Sequence, residues 1–135
     1  MADKLIRTAV VMSFFLALAF FSGCGTKEAQ ATQADNGRQI TLQPGEVMTI
    51  TLESNLTTGY GWQVLKIDDA VLVQVGDPTY VQSPGSTGLV GAGGTESFRF
   101  KAVASGETSL ELGYMRPWES VPPIETYSVQ VVVQE

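Results

Sequence analysis

Short alternations of apolar and polar residues, repeated along the chain and separated by Gly, Pro, Asn and Asp, constrain this sequence more than any other feature. In Glu46–Glu53, Met48, Ile50 and Leu52 fall on one face, while Thr49, Thr51 and Glu53 fall on the other. Successive side chains of a strand point to opposite faces, so this period of two predicts a half-buried strand. The segments Trp62–Ile67, Val71–Val75, Glu96–Val103, Thr108–Met115 and Thr126–Val133 behave alike. Phe98, Phe100 and Ala102 oppose Arg99 and Lys101, and Tyr127, Val129, Val131 and Val133 share a face. Arg38–Leu42 adds an expected edge strand. No segment carries the longer stripe of an amphipathic helix. The expectation is an all-β domain over residues 38–135, an immunoglobulin-like antiparallel β-sandwich of about seven strands, with a small barrel as the alternative closure. With a single Cys in the chain, Trp62 has no disulfide to pack on and is expected as a core aromatic at a strand start.

The N-terminal stretch follows a different rule. Lys4 and Arg7 precede an apolar run from Ala9 to Phe21, which ends at Phe21-Ser22-Gly23-Cys24. A charged start, an apolar centre and a small-residue processing site make residues 1–23 an export signal. The run is shorter than the roughly 18 apolar residues of a spanning helix. Cys24 directly after Ser-Gly resembles the lipobox of bacterial lipoproteins, although Phe21 stands where that pattern more often has Leu. The resemblance implies acylation of Cys24 and an exported chain, lipid-anchored to the cell envelope at the periplasmic or cell-surface side. Residues 24–37, rich in Thr, Gln, Ala and Asn with little to bury, are expected to form a flexible tether.

Charge and composition narrow the function. The chain has a formal charge of −6, and removal of the signal takes away two cations and one anion. Such acidity argues against binding nucleic acid phosphates or anionic head groups. The chain has no His and one Cys, so it lacks the usual general base and offers no Cys pair or His cluster for a transition metal. Neither a metal nor a cofactor is expected. An enzyme built on carboxylates such as Glu96 and Glu119 is a third reading, but a domain this small offers little room for a deep substrate cleft.

Three connections stand out among the turns. Asn55-Leu56-Thr57-Thr58-Gly59-Tyr60 joins the second and third expected strands, Ser83–Gly94 is long and glycine-dense, and Met115–Pro123 holds Arg116-Pro117-Trp118-Glu119. In a sandwich of this topology all three emerge at one end. Glycine lets a backbone approach another surface closely, and exposed Trp and Arg are frequent interface anchors. The glycine-rich loop leads into a strand rather than a helix, which sets aside a phosphate cradle. Asn55-Leu56-Thr57 also matches the N-glycosylation pattern, taken here as coincidental beside a bacterial type of signal.

Asn-x-Thr-Thr-Gly-Tyr, Gly-x-Gly-Gly and Arg-Pro-Trp, in this order on a β domain of this size, resemble the chagasin family of cysteine peptidase inhibitors. The three signature loops map onto Asn55, Leu56, Thr57, Thr58, Gly59 and Tyr60; onto Gly91, Ala92, Gly93 and Gly94; and onto Arg116, Pro117 and Trp118. The resemblance implies a monomeric, reversible, competitive inhibitor of papain-like cysteine peptidases and no enzymatic activity. The first loop would enter the cleft while the other two straddle it, Trp118 acting as the main anchor and Arg116 either orienting its loop or pairing with an acidic group of the peptidase. Leu56 departs from the family's usual Pro, which implies looser inhibition. The alternative is a tethered module that binds a glycan or another protein through an aromatic platform of Trp118, Tyr60 and Tyr114.

Overall fold

The structure is a computed structural model that describes residues 28–84 and 91–135. Its strands are β1 (Glu28–Thr32), β2 (Gln39–Leu42), β3 (Val47–Ser54), β4 (Gly61–Lys66), β5 (Leu72–Gln74), β6 (Thr79–Gln82), β7 (Gly94–Ala102), β8 (Gly106–Met115) and β9 (Glu125–Val133). Two short 3-10 turns, Gln33–Asp35 and Leu56–Thr58, interrupt them. One sheet has the order β1-β3-β7-β5, with β6 also on β7, and the other has the order β2-β9-β8-β4.

The alternation seen in sequence becomes the core. Met48, Ile50 and Leu52 of β3 lie beside Phe98, Phe100 and Ala102 of β7, in a register that sets Met48 opposite Phe100 and Ile50 opposite Phe98. Leu110 and Leu112 of β8 and Tyr127, Val129, Val131 and Val133 of β9 face them from the other sheet, and Trp62 joins the same core. Burying such side chains contributes about 1.5–3 kcal/mol each before entropy is counted, so this layer holds the sandwich together.

Three sequence expectations change. Residues 28–37, assigned to the tether, are part of the folded domain: β1 pairs in parallel with β3 from Glu28↔Val47 to Thr32↔Thr51. Ala31 is 1% exposed, the Thr49 hydroxyl bonds the Glu28 carboxylate, and the Tyr127 hydroxyl donates to the Thr32 carbonyl at 2.9 Å. Long-range pairing thus orders a segment whose own composition looked unable to pack. Burial, reinforced by the Asp35 carboxylate, pushes the Tyr127 phenol up to about 12. Residues 1–27, including the expected export signal and Cys24, lie outside the described residues.

Neither sheet is purely antiparallel, since β1 runs parallel to β3 and β2 parallel to β9. The chain crosses to the other sheet between β1 and β2 and crosses back between β2 and β3, so β1 and β3 enter the first sheet in the same direction. Strand number is the third change. The expected strand Val71–Val75 shortens to Leu72–Gln74, and Thr79–Gln82, unforeseen, pairs with β7 from Thr79↔Ser97 to Gln82↔Gly94.

Candidate functional site

The strand directions carry the ends of β3, β6 and β8 and the starts of β4, β7 and β9 to one end of the sandwich. The first and third expected loops meet there with Gly91–Gly94 of the second, whose residues 85–90 lie outside the described residues. Asn55 caps the turn Leu56–Thr58: its Oδ1 accepts from the Thr57 N–H at 3.2 Å and from the Thr57 hydroxyl at 2.6 Å. Its Nδ2 reaches sideways and donates to the Gly91 carbonyl at 2.9 Å, which ties the first loop to the second. A side chain that both accepts and donates is needed here, and Asn supplies that pair where Asp would not.

The turn closes on itself. The Thr58 hydroxyl donates to the Asn55 carbonyl at 2.6 Å and accepts from the Tyr60 N–H at 3.3 Å. Gly59 ends the turn in the left-handed region with φ +81°, which side chains rarely tolerate. Space demands glycine as well, because a Cβ there would lie 2.7 Å from Cη2 of Trp118. The Trp118 ring therefore rests on the Gly59 backbone while the residue as a whole remains 69% exposed.

Arg116 links the third loop to the first. Its Nε and Nη2 donate to the Thr58 carbonyl at 3.1 and 2.9 Å, Nη1 donates to Glu119 Oε1 at 3.0 Å, and the guanidinium lies 4.3 Å from the centre of the Tyr60 ring. Tyr60 in turn packs on Tyr114 with ring centres 5.5 Å apart, and Tyr114 on Trp62 at 5.1 Å. Of the two roles open to Arg116, the geometry favours orienting its loop, since every nitrogen of the guanidinium is engaged within the chain. A planar fork with a fixed donor geometry suits this better than a Lys point charge.

Residues 41–131 match the model of the family described as Chagasin family peptidase inhibitor I42. The chain belongs to the chagasin family. Chagasin from Trypanosoma cruzi is 36% identical over 93 residues, which cover 66% of this chain and 82% of the relative. Amoebiasin-1 from Entamoeba histolytica is 32% identical over 103 residues, covering 76% of this chain and 97% of the relative. A crystal structure of the cysteine protease inhibitor EhICP2 from Entamoeba histolytica superposes with a TM-score of 0.71 over 80% of this chain and 96% of that one; at 24% identity it shows a shared fold. As a member of the chagasin family the chain is an inhibitor and not an enzyme. The carboxylates considered for catalysis have other partners: Glu96 accepts the Trp62 N–H at 3.0 Å, and Glu119 pairs with Arg116.

Two family positions behave differently from the rest. Gly94 is buried as the first residue of β7, where a side chain would strike the Val81 carbonyl and the Tyr80 ring, so its missing side chain serves strand pairing. Leu56 opens the turn and is exposed. Tyr114, noticed in sequence only as a platform aromatic, supports the site from below, since its hydroxyl accepts the Asn55 N–H at 2.9 Å. The hydroxyl's partner comes from a loop 59 residues away and left no local signal.

Proposed function

We propose that this chain inhibits papain-like cysteine peptidases reversibly and competitively, with Asn55–Tyr60 as a wedge in the catalytic cleft and Gly91–Gly93 and Arg116–Trp118 on either side of it. The observation that carries this reading is the double tie between wedge and anchor: Arg116 grips the Thr58 carbonyl while Trp118 lies on Gly59. A loop already fixed in the free protein loses less conformational entropy when it binds, which favours affinity. Small residues suit a narrow cleft, and the Thr57 hydroxyl, having spent its hydrogen on Asn55, presents acceptor lone pairs to the peptidase.

The same grip favours resistance to cleavage. A peptidase must draw a carbonyl oxygen into its oxyanion hole. The Thr58 oxygen is already held by two guanidinium N–H groups, and the following Gly59 is left-handed rather than extended. The inhibitor should therefore survive long incubation with active enzyme, as mass spectrometry can check. An interface of three loops approaches the standard size of about 1,600 Å², with few residues dominating. With no His in the chain, pH dependence between about 5 and 8 should come from the peptidase.

Titration of papain with the chain tests the reading: stoichiometric inhibition is expected. Trp118→Ala and Thr58→Arg should each weaken it at least tenfold, or about 1.4 kcal/mol. Parent-like inhibition by both variants would sink the three-loop arrangement. In the same reading the inhibitor is a monomer held at the bacterial cell envelope by a lipid on Cys24. Incorporation of radiolabelled fatty acid, lost in Cys24→Ser, is the expected result.

A further inference from the structure

The order of β1 has a geometric consequence for an acylated chain. Glu28 pairs with Val47 at the start of β3, and β3 runs from there to Ser54, directly before the wedge. Glu28 and the wedge thus lie at opposite ends of the sandwich. Rising about 3.3 Å per residue, the eight residues of β3 separate these ends by about 25 Å before the wedge itself is added. The turns Gln43–Glu46 and Val103–Ser105 share the Glu28 end, because Val47 pairs with Lys101 and Gly106 with Val133.

From Cys24 to Glu28 the chain can span at most about 14 Å, four residue steps of about 3.6 Å each. Were residues 24–37 all spacer, they would reach about 45 Å and let the domain turn in any direction. With β1 in place they do not. If the loops faced the bilayer end-on, Glu28 would stand about 25 Å or more above it, well beyond the about 14 Å that the chain from Cys24 to Glu28 can span.

We infer that the acylated chain sits on the membrane by the end that carries Glu28, Gln43–Glu46 and Val103–Ser105, with its inhibitory edge unable to face the lipid end-on. Its partners are therefore peptidases that arrive from the aqueous compartment. The inference rests on acylation of Cys24 and on the three-loop reading of the inhibitory edge.

Cys24 is the one cysteine of the chain, so once acylated it leaves an introduced cysteine as the single free thiol. The full acylated chain carrying Ser105→Cys or Ser120→Cys, both at exposed positions, would be labelled with a fluorescent donor and placed in phosphatidylcholine vesicles bearing an acceptor lipid. Energy transfer from position 105 should exceed that from position 120 at least twofold, and equal or reversed transfer would overturn the inference. A spacer of twelve Gly/Ser residues inserted after Gly25 should shrink the difference. Papain added in solution should be inhibited equally by the vesicle-bound chain and by soluble Cys24→Ser, whereas a tenfold loss on vesicles would mean that the edge is occluded and the inference wrong. Failure of Cys24→Ser to differ from the parent in vesicle binding would instead remove the acylation reading. Failure of both forms to inhibit would count against the inhibitor reading while the energy-transfer comparison still stood.

Discussion

The interior of the sandwich and its loop edge achieve order by opposite means. Between the sheets, Phe98, Phe100, Ile50 and Val131 are held by burial, a force without direction that tolerates approximate shapes. At the edge, Thr58 and Trp118 are exposed and Gly59 is half-buried; the loops are held by directed bonds from Arg116, Asn55 and Tyr114, and Trp118 by its seat on Gly59. The difference separates two properties that are often entangled. Core substitutions should change how much protein is folded, and edge substitutions should change what the folded protein grips.

The sharpest way to break that division is Phe100→Ala. Phe100 is fully buried, and its loss should cost about 3–5 kcal/mol in urea unfolding, while the fraction that remains folded inhibits normally. A normal unfolding midpoint would mean that the core is not where stability resides. Gly59→Ala should do the reverse. The new methyl group would force Trp118 off its seat and occupy a left-handed position, costing about 1–2 kcal/mol of local strain. Inhibition should fall at least tenfold with the fold intact, and parent-like inhibition constants would show that the seat is irrelevant.

Tyr127 lies between the two regimes, buried yet hydrogen-bonded, and its test is pH. The unfolded phenol titrates near 10.0 and the folded one is pushed up to about 12. The fold therefore favours the protonated form: this contribution is complete below pH 10 and is lost as pH rises from about 10 to about 12. Tyr127→Phe should remove that part of the alkaline decline and lower stability at neutral pH by about 1 kcal/mol, because the Thr32 carbonyl loses its donor. An unchanged alkaline profile would break the link. The smallest expected effect is a gain. Leu56 is the first residue of its turn, a position where Pro is readily accommodated, and Asn55 before it is already extended at φ −126°, ψ 91°. Leu56→Pro should tighten inhibition about two- to fivefold, or 0.4–1 kcal/mol, by restricting the unbound loop. Weaker inhibition would mean that the bound turn differs from the free one.

Legibility in the sequence divides along the same line. The inner strands could be read because Met48, Ile50, Leu52 and their counterparts in β7 and β9 are bulky and alternate. β1 could not, because the residue it buries deeply is Ala31, and Ala adds little apolar area among Glu, Gln and Thr. Nor does alternation record strand direction, so the parallel edges went unforeseen. At the site, the three motifs identified the loops and their shared end. The bonds that join them run from Asn55 to Gly91 and from Arg116 to Thr58. Those distances in sequence leave no local pattern, which is why the partners of Arg116 could not be read before the fold was known.

The two tryptophans give this division an optical form. Trp62 is 2% exposed and donates its indole N–H to the Glu53 carbonyl, whereas Trp118 is 69% exposed on the loop edge. An indole in water emits at longer wavelength than one in an apolar interior. Trp62 is thus a built-in reporter of unfolding and, on the proposed reading, Trp118 of docking, and with Trp62→Phe and Trp118→Phe variants the chain's own fluorescence can follow the two events separately, without any added label.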